Sequence, residues 1–335
     1  MPSLEQGSNR IVIAGASSLL GAELRSLLEE SRFAGAEFRL VDEEIAVGVL
    51  TGAGGEPAVV QPVEEGTFEK AGKIFFTGSV DFTRANLGLA KSAKAQIIDL
   101  SGATAAETST LSWFPKLDTL LAREFPKDAG IFAIPSAAAT AASSLALGLS
   151  KIGISRMVMI CFQAVSEAGR AGIEELESQT GQLLSFQGMG QPVFDTQVAF
   201  NLLDRFGPGS KQKLHQVRER LRAETRACVT KKSILPALQL IHAPVFYGTA
   251  FTACAELVPG TKIDRVIAVC QNAGFVFPSD GAAGPSNVSV AGEKEAHLAR
   301  PEEDASQPGA WWFWGAADNI RLPAANAVKL AEMLP

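Results

Sequence analysis

A short apolar run, Ile11–Ala14, leads directly into a glycine turn and then into a stretch with helical spacing. In that stretch, Ala22–Glu30, apolar residues recur three and four positions apart, which is typical of a helix that buries one face. A strand that turns at once into a helix is the opening of a parallel sheet with crossover helices. The start of the chain therefore predicts an α/β fold.

The same alternation continues to residue 134. We predict further strands at Phe38–Asp42, Lys73–Thr77, Ala95–Asp99 and Gly130–Ile134, with a helix at Phe82–Ala93. Strands separated by helices require crossover connections, so this half predicts a Rossmann-like parallel sheet.

The pattern changes at Ser136–Leu149, which is rich in Ala and Ser and predicts a helix of small residues capped by Ser136. Longer, partly alternating apolar runs follow. We interpret them as strands at Arg156–Gln163, Leu238–His242, Phe251–Leu257, Arg265–Cys270 and Trp311–Trp314. With helical material near residues 211–226, they predict an α+β domain on a mostly antiparallel sheet.

A chain of 335 residues is long enough for two domains. We place the first at residues 1–136, completed by a C-terminal helix at 318–335, and the second at 137–317. Residues 278–309 are rich in Gly, Pro, Ser and charge, and we expect a surface excursion there.

The net charge of −6 argues against a surface for nucleic acid, because nucleic-acid binders concentrate Lys and Arg on one face. No apolar run is long enough for a membrane span, and the N-terminus has no apolar signal core, so we expect a cytoplasmic protein without membrane contact. Neither the four cysteines nor the three histidines have metal-ligand spacing, so we predict no metal. Three cysteines lie in predicted strands and should be inert; Cys228 is the one that we would test for reactivity.

The glycine turn reads Gly15-Ala-Ser-Ser-Leu-Leu-Gly21. A dinucleotide pyrophosphate would rest here, on the helix N-terminus. Ser18 stands where the usual fingerprint has its middle glycine, and Asp42 follows at the distance of a ribose-binding acid. We therefore predict Gly15, Ser17, Ser18, Gly21 and Asp42 as cofactor-binding residues. A plain strand-to-helix turn without a ligand is the alternative.

Several segments together resemble the aspartate-semialdehyde dehydrogenase family. The glycine turn is similar to the family's G-A-T-G-x-V-G, and Gln163–Gly172 is similar to Q-A-V-S-G-A-G-x-x-G, with Glu167 in place of the first glycine. Trp314–Arg321 and Ala324–Val328 are similar to W-x-x-A-D-N-L-R and A-A-x-N-A-V. Shorter matches lie between these in the same order: Phe75–Ser79, Ile98–Ser101, Ala199–Leu202 and Glu224–Arg226.

The resemblance implies a Rossmann-like domain for NADP or NAD and a dimerisation domain. Active members reduce an aspartyl phosphate with NADPH, using a cysteine nucleophile, a histidine for proton transfer, and arginines for the substrate. On this ground Asn319 is added to the cofactor residues, and Gln163 and His242 are assigned to the substrate pocket.

This sequence departs from the family at each catalytic position. The family cysteine falls on Ala137, the catalytic histidine on Thr249, and the substrate arginine on His242. The phosphate-binding arginine falls near Thr104. We therefore predict no catalytic residues, and a homodimeric, non-catalytic homologue that acts by binding a protein partner or a nucleotide.

Two alternatives stay open. One is an NAD(P)-dependent oxidoreductase of amino-acid biosynthesis with a changed substrate, favoured by the glycine turn and Gln163. The other is capture of an anion by the helix that begins near Ala137, whose free N–H groups and dipole attract negative charge. A Ser136 nucleophile activated by His242 would need an orienting acid that the sequence does not identify.

Overall fold

The structure, a computed structural model, describes residues 9–43, 50–53, 56–229, 233–279 and 281–335. The chain divides into two compact units. The first comprises Met1–Pro115, Glu124–Pro135 and Pro323–Pro335, and the second comprises Lys116–Arg123 and Ser136–Leu322.

In chain order the elements are β1 (Arg10–Ala14), α1 (Leu19–Glu29), β2 (Glu37–Asp42), β3 (Leu50–Ala53), β4 (Glu56–Val59), β5 (Gln61–Pro62), β6 (Ala71–Phe76), α2 (Val80–Ser92), β7 (Gln96–Asp99), β8 (Thr110–Ser112), α3 (Leu117–Leu121), β9 (Ile131–Ala133), α4 (Ala137–Ser150), β10 (Ile154–Gln163), α5 (Gly169–Leu184), α6 (Leu214–Cys228), β11 (Ala237–His242), β12 (Thr249–Leu257), α7 (Ile263–Asn272), β13 (Phe275–Val276), β14 (Ala296–Leu298), β15 (Glu302–Glu303), β16 (Ala310–Ala317) and α8 (Arg321–Met333). A 3₁₀ turn, Val165–Ala168, precedes α5.

The sheet of the first unit has the strand order β5-β2-β1-β6-β7-β9-β8. Each neighbouring pair is parallel, which confirms the predicted Rossmann-like sheet. Ile11 and Ile13 face one apolar cluster, whereas Val12 and Ala14 face another. Burial on both faces explains why β1 is an unbroken apolar run.

The sheet of the second unit has the order β11-β10-β12-β16-β14-β13, with β15 also paired to β16. The pairs β10–β12, β12–β16, β14–β16 and β15–β16 are antiparallel, and β10–β11 and β13–β14 are parallel. The sheet is thus mixed, with the expected antiparallel majority. Helix α4 packs on one face of it, against β10, β12 and β16.

The strand predicted at Arg265–Cys270 is wrong, because this run lies within helix α7. Val266 and Cys270 are the buried residues of the helix, and they are four positions apart, as one helical face requires. A short apolar run fits both spacings, so periodicity alone does not decide it. Residues 278–309 are likewise more than a surface excursion, since they contain β14, β15 and the buried Val290.

In the ranges that the structure describes, no helix has the length and apolarity needed to cross a bilayer. The same ranges hold no group of three or more His, Cys, Asp or Glu side chains that could bind a metal ion.

Candidate functional site

The glycines of the turn between β1 and α1 are required by close packing. Gly15 has a φ of +95°, and a Cβ atom on it would lie 2.1 Å from the backbone nitrogen of Gly78. A Cβ on Gly21 would lie 2.4 Å from the carbonyl oxygen of Gly15. These contacts exclude a side chain at either position, whether or not a ligand binds here.

Ser18 takes the place of the fingerprint's middle glycine because it caps α1. Its hydroxyl accepts a hydrogen bond from the N–H of Gly21 at 2.9 Å and donates one to the carbonyl oxygen of Thr77 at 2.9 Å. Its side chain is therefore committed to the turn, as a capping serine usually is.

The Asp42 carboxylate engages the same turn. Its Oδ2 accepts hydrogen bonds from the backbone N–H of Ser17 at 2.8 Å and from the Ser17 hydroxyl. Next to it, Glu43 accepts a hydrogen bond from the hydroxyl of Ser79 at 2.8 Å. The structure thus brings together the cofactor residues predicted in the first unit. A pyrophosphate would compete with Asp42 for the Ser17 N–H.

The second candidate region is the start of α4. Ser136 caps this helix, and its hydroxyl donates to Glu224 Oε2 at 2.6 Å while its backbone N–H donates to the same oxygen at 3.0 Å. The hydroxyl is 3.4 Å from the Ala139 N–H, which leaves only a weak cap hydrogen bond. Ala137 is the first residue of the helix. A carboxylate from α6 therefore occupies the end of α4.

Glu224 belongs to a chain of charged groups. Arg220 Nε lies 3.7 Å from Glu224 Oε1, and Arg220 Nη2 lies 3.7 Å from Glu167 Oε2. Glu224 is only 3% exposed. Burial raises the pKa of the Glu224 carboxyl, and Arg220 and Ser136 oppose that shift.

Asn319 completes this chain in the second unit. Its Nδ2 donates to Glu167 Oε1 and to Ser166 Oγ, both at 3.0 Å, and its Oδ1 accepts from the Gly248 N–H at 2.8 Å. Both ends of this side-chain amide are thus used inside the protein, where they hold the turn before β12. Its predicted part in cofactor binding stays a prediction.

A small cavity of about 20 Å³ opens beside the start of α4. That volume is about one water molecule. Its lining residues are Ser136, Ala138, Gln163, Glu167, Val217, Arg220, Leu221, Leu240 and Thr249. Gln163 Nε2 donates to Gln212 Oε1 at 3.2 Å, whereas the buried Gln163 Oε1 has no partner among the described residues. The fold thus brings Gln163, Thr249 and the residues around Ala137 together.

His242 is not among the residues that line this cavity; it is fully buried. Its ring packs against Phe194 and Phe206, with centroids 5.9 and 5.4 Å apart, and its Nε2 is 3.4 Å from the carbonyl oxygen of Val198. Burial lowers the pKa of His242 to about 4, so the ring is neutral at pH 7.

Thr104 is buried in the first unit. Its hydroxyl and N–H donate to Asp99 Oδ2 at 2.7 and 2.8 Å, and the Ser101 N–H donates to Asp99 Oδ1 at 2.8 Å. The resemblance places a phosphate-binding arginine in this loop. Instead, hydrogen bonds to the Asp99 carboxylate fix the loop conformation.

The cysteines lie away from the cavity. Burial raises the pKa of both the Cys161 and the Cys270 thiols to about 12, which agrees with inert thiols, although Cys270 lies on a helix and not on a strand. Cys228, the one selected for a reactivity test, is only 1% exposed. A buried thiol lacks the accessible, electropositive surroundings of a reactive one.

The sequence did not predict that Glu224 and Arg220 lie at the start of α4. Glu224 was noted only as the first residue of the short match Glu224–Arg226. A signal for its burial was present, since Leu214, Leu221 and Cys228 repeat every seven residues and place position 224 on the buried side of a helix. Its contact with Ser136, 88 residues away, had no local signal.

The fold and this region define a class: a Rossmann-like unit followed by an α/β unit with a mixed sheet. Residues 147–322 match the family described as semialdehyde dehydrogenase, dimerisation domain. This match covers more than half of the chain, and the chain therefore belongs to the semialdehyde dehydrogenase family.

Individual relatives agree over almost the full length. A USG-1 protein homologue of Pseudomonas aeruginosa is 29% identical, and aspartate-semialdehyde dehydrogenase 2 of Vibrio cholerae is 27% identical; 97% of each chain is covered in both comparisons. The solved structure of a probable aspartate-semialdehyde dehydrogenase from Pseudomonas aeruginosa has a TM-score of 0.85 and 26% identity, over 97% of both chains.

A more distant structure, aspartate semialdehyde dehydrogenase with NADP from Candida albicans, has a TM-score of 0.65 and 12% identity over 97% of both chains. At that identity it shows a shared fold alone. NADP is bound by that protein, within the fold that this chain adopts.

Proposed function

We propose that this chain is a dimeric semialdehyde dehydrogenase homologue that binds a partner or a nucleotide and does not run the phosphorylating dehydrogenase reaction. The observation that carries the proposal is the start of α4. Ala137 offers only a methyl group where the resemblance expects a thiol, and the Glu224 carboxylate holds the capping serine. A reactive thiolate needs positive surroundings, and a buried acid is the opposite of these.

Two further positions support the proposal. The Thr249 hydroxyl cannot take up a proton near neutral pH, unlike an imidazole. The neutral, buried His242 cannot anchor a substrate carboxylate as an arginine fork does. Nucleophile, proton acceptor and substrate anchor are therefore replaced together.

Glu224 also argues against the capture of a free anion at the start of α4. The Glu224 carboxyl already accepts the Ser136 N–H and hydroxyl, so an incoming carboxylate or phosphate would have to displace it from these donors. The cavity there has room for about one water molecule, which disfavours a larger anion as well.

The outer face of the mixed sheet supports dimerisation through a second copy of the chain. Its rows run Val158–Cys254–Trp312 and Ile160–Thr252–Trp314 across β10, β12 and β16. Trp312 and Trp314 are 46% and 41% exposed, although their neighbours along β16 are buried. An apolar, aromatic sheet face of this kind is typical of an obligate interface, and it lies in the segment that matches the dimerisation domain.

The activity test uses purified protein with NADP, semialdehyde and phosphate, and in the reverse direction NADPH with aspartyl phosphate. We expect turnover equal to that of a preparation from cells with an empty vector. Clear turnover above this background would overturn the proposal. Light scattering on a sizing column should give a dimer for the unaltered chain and a monomer for Trp314→Arg.

The second candidate is an NAD-dependent oxidoreductase with a changed substrate. It is favoured by the intact glycine turn and by the unpartnered Gln163 Oε1 in the cavity. Asp42 and Glu43 stand at the end of β2, and residues 43–69 contain no Lys or Arg. A 2′-phosphate would meet acids there, so NAD should bind better than NADP.

Calorimetry with NAD, NADP and their reduced forms tests the second candidate. The oxidoreductase requires binding of NAD below millimolar concentration and a preference for NAD that Asp42→Asn weakens. No binding of any dinucleotide at millimolar concentration removes the oxidoreductase and leaves a protein partner as the ligand.

A further inference from the structure

Helix α6 carries a second group of charges on the flank that does not hold Glu224. Arg218, Arg222 and Arg226 are four residues apart, so they form one row along the helix. At about 1.5 Å per residue, the two ends of this row are about 12 Å apart. Arg220 and Glu224 lie on the other flank, because successive residues turn by about 100°. This row is therefore separate from the cavity beside Ser136.

The row borders a groove of about 630 Å³, which we name the arginine groove. Its lining residues are Val158, Arg218, Glu219, Arg222, Arg226, Leu235, Pro236, Ala237, Leu238 and Gln239. A groove of this size falls in the range of small-molecule sites, roughly 300–1,000 Å³. It lies between α6 and β11, which is the edge strand of its sheet.

The three guanidinium groups are unequally neutralised. Arg222 donates to Glu219 Oε1 at 2.7 Å and to the Leu238 carbonyl oxygen at 2.9 Å. Arg218 donates to the neutral Gln239 Oε1 at 2.7 Å, and its buried Nε has no partner among the described residues. Arg226 is exposed, and its side chain makes no hydrogen bond or ion pair with any other described residue.

Glu219 is the single acid among the described residues that line the groove. Within the described residues, Arg226 has no acidic partner and Arg218 forms no salt bridge, although the charge of Asp204 acts on Arg218. The net charge of the protein is nevertheless −6. Like charges four residues apart destabilise a helix by a few tenths of a kcal/mol, a cost that a bound anion would remove. The excess of positive charge in the groove is suited to a multiply charged anion.

A peptide strand fits the edge of β11 poorly. The carbonyl oxygen of Leu238 is already bonded to Arg222, and the N–H of Leu240 is bonded to Gln239 Oε1 at 3.1 Å. An added strand would need such main-chain groups. By contrast, the Arg218 guanidinium is positioned by Gln239 and the Arg226 guanidinium is exposed, so both are available to phosphate oxygens, which match the guanidinium fork in pairs.

The lining also includes an apolar surface. Leu235 is 42% exposed, and Pro236 and Val158 lie beside it in the lining. We infer that the arginine groove binds a small organic compound with two or more phosphate groups, its phosphates on Arg218 and Arg226 and its organic body against Leu235 and Pro236. This site does not depend on the proposed loss of activity, which rests on the start of α4, although Val158 in its lining also lies on the sheet face proposed for dimerisation.

The test is calorimetric titration of the full chain with pyrophosphate, ATP and inorganic phosphate, all at one ionic strength. We expect ATP to bind more tightly than pyrophosphate, and pyrophosphate at least tenfold more tightly than inorganic phosphate. The double variant Arg218→Ala/Arg226→Ala should weaken ATP binding at least tenfold. The matched control is Arg265→Ala, which removes an exposed helical arginine of the same unit and should leave the affinity unchanged.

Other results overturn the inference. ATP affinity that is equal in the double variant and the unaltered chain would place the nucleotide elsewhere, for example on the glycine turn. A Glu-rich peptide that binds the groove more tightly than ATP would make it a protein-docking surface. Circular dichroism verifies that the double variant is folded, and Arg226→Ala alone, at an exposed position, provides a second variant should Arg218→Ala disturb the fold.

Discussion

Helices α1 and α4 both begin with a capping serine, and at both a carboxylate of the chain itself engages the start. At α1 the carboxylate is Asp42, which bonds to Ser17, one residue before the cap. At α4 it is Glu224, which bonds to the cap residue Ser136 and reduces the cap's own hydrogen bond to a 3.4 Å contact.

The difference lies in what each helix can still offer a ligand. At α1 the Ser18 hydroxyl keeps a good cap hydrogen bond of 2.9 Å, and Asp42 comes from a neighbouring strand end, where ribose-binding acids lie. At α4 the carboxylate is buried and arrives from a helix 88 residues away. The start of α1 thus keeps its cap hydrogen bond beside the Asp42 carboxylate, whereas the start of α4 is occupied by a buried carboxyl group of the same chain.

The largest effect is expected at α1. Gly15→Ala should lower the free energy of unfolding by about 3 kcal/mol or more, because the residue has a positive φ and its Cβ would meet the Gly78 backbone. The control is Gly88→Ala on the exposed face of α2, where nothing lies within 4 Å, and it should stabilise by about 0.5–1 kcal/mol. Urea unfolding measures both. Equal effects of the two changes would mean that the turn is not as closely packed as described.

At α4, Glu224→Ala should lower the free energy of unfolding by about 3 kcal/mol, because it leaves Arg220 and the Ser136 N–H without their buried partner. Glu219→Ala on the exposed face of the same helix should change it by no more than about 0.5 kcal/mol. If Glu224→Ala lowered the free energy of unfolding as little as Glu219→Ala, the Glu224 carboxyl would not stabilise the start of α4, and the contrast with α1 would be weakened.

The dependence of protein stability on pH tests the burial of Glu224 separately. Burial raises the pKa of Glu224 above its ordinary value of 4.5, so the folded chain binds a proton at this position more tightly than the unfolded chain does. Its contribution to stability is complete below pH 4.5 and is lost as the pH rises through the folded pKa. Glu224→Gln should remove this part of the decline, as chemical unfolding at a series of pH values would show.

Glu175 provides a comparison for the pH profile of stability, because burial also raises the pKa of its carboxyl. Glu175→Gln should remove a separate part of the decline, and the variant with both changes should show the flattest profile. A profile that Glu224→Gln leaves unchanged would contradict the assignment of a buried, costly carboxylate at α4.

The smallest effect is expected from restoring the thiol. Ala137→Cys should give no measurable dehydrogenase turnover, because proton transfer and substrate anchoring would still be missing. Its thiol should alkylate with an apparent pKa at or above the usual value of about 8.5, since Glu224 opposes the lowering expected at a helix N-terminus. A pKa below 7 together with turnover would show that Thr249 or His242 had been misassigned.

Features governed by local rules could be predicted from the sequence. The strand–turn–helix opening, the small-residue helix with its Ser136 cap and the aromatic strand at Trp311–Trp314 each follow from spacing within one segment. Arg265–Cys270 could not be assigned in this way, because its five apolar residues, 266–270, fit a strand or one helical face equally well.

The sequence by itself determined the alternating fold and the residue types at the family positions, because backbone preferences and hydrophobic periodicity act over a few residues. Only the tertiary structure decided that Glu224 meets Ser136, that His242 is sealed between two phenylalanine rings, and that three arginines border a groove. These are contacts between segments far apart in the chain, and they depend on how helices pack on the sheet, which no local pattern encodes.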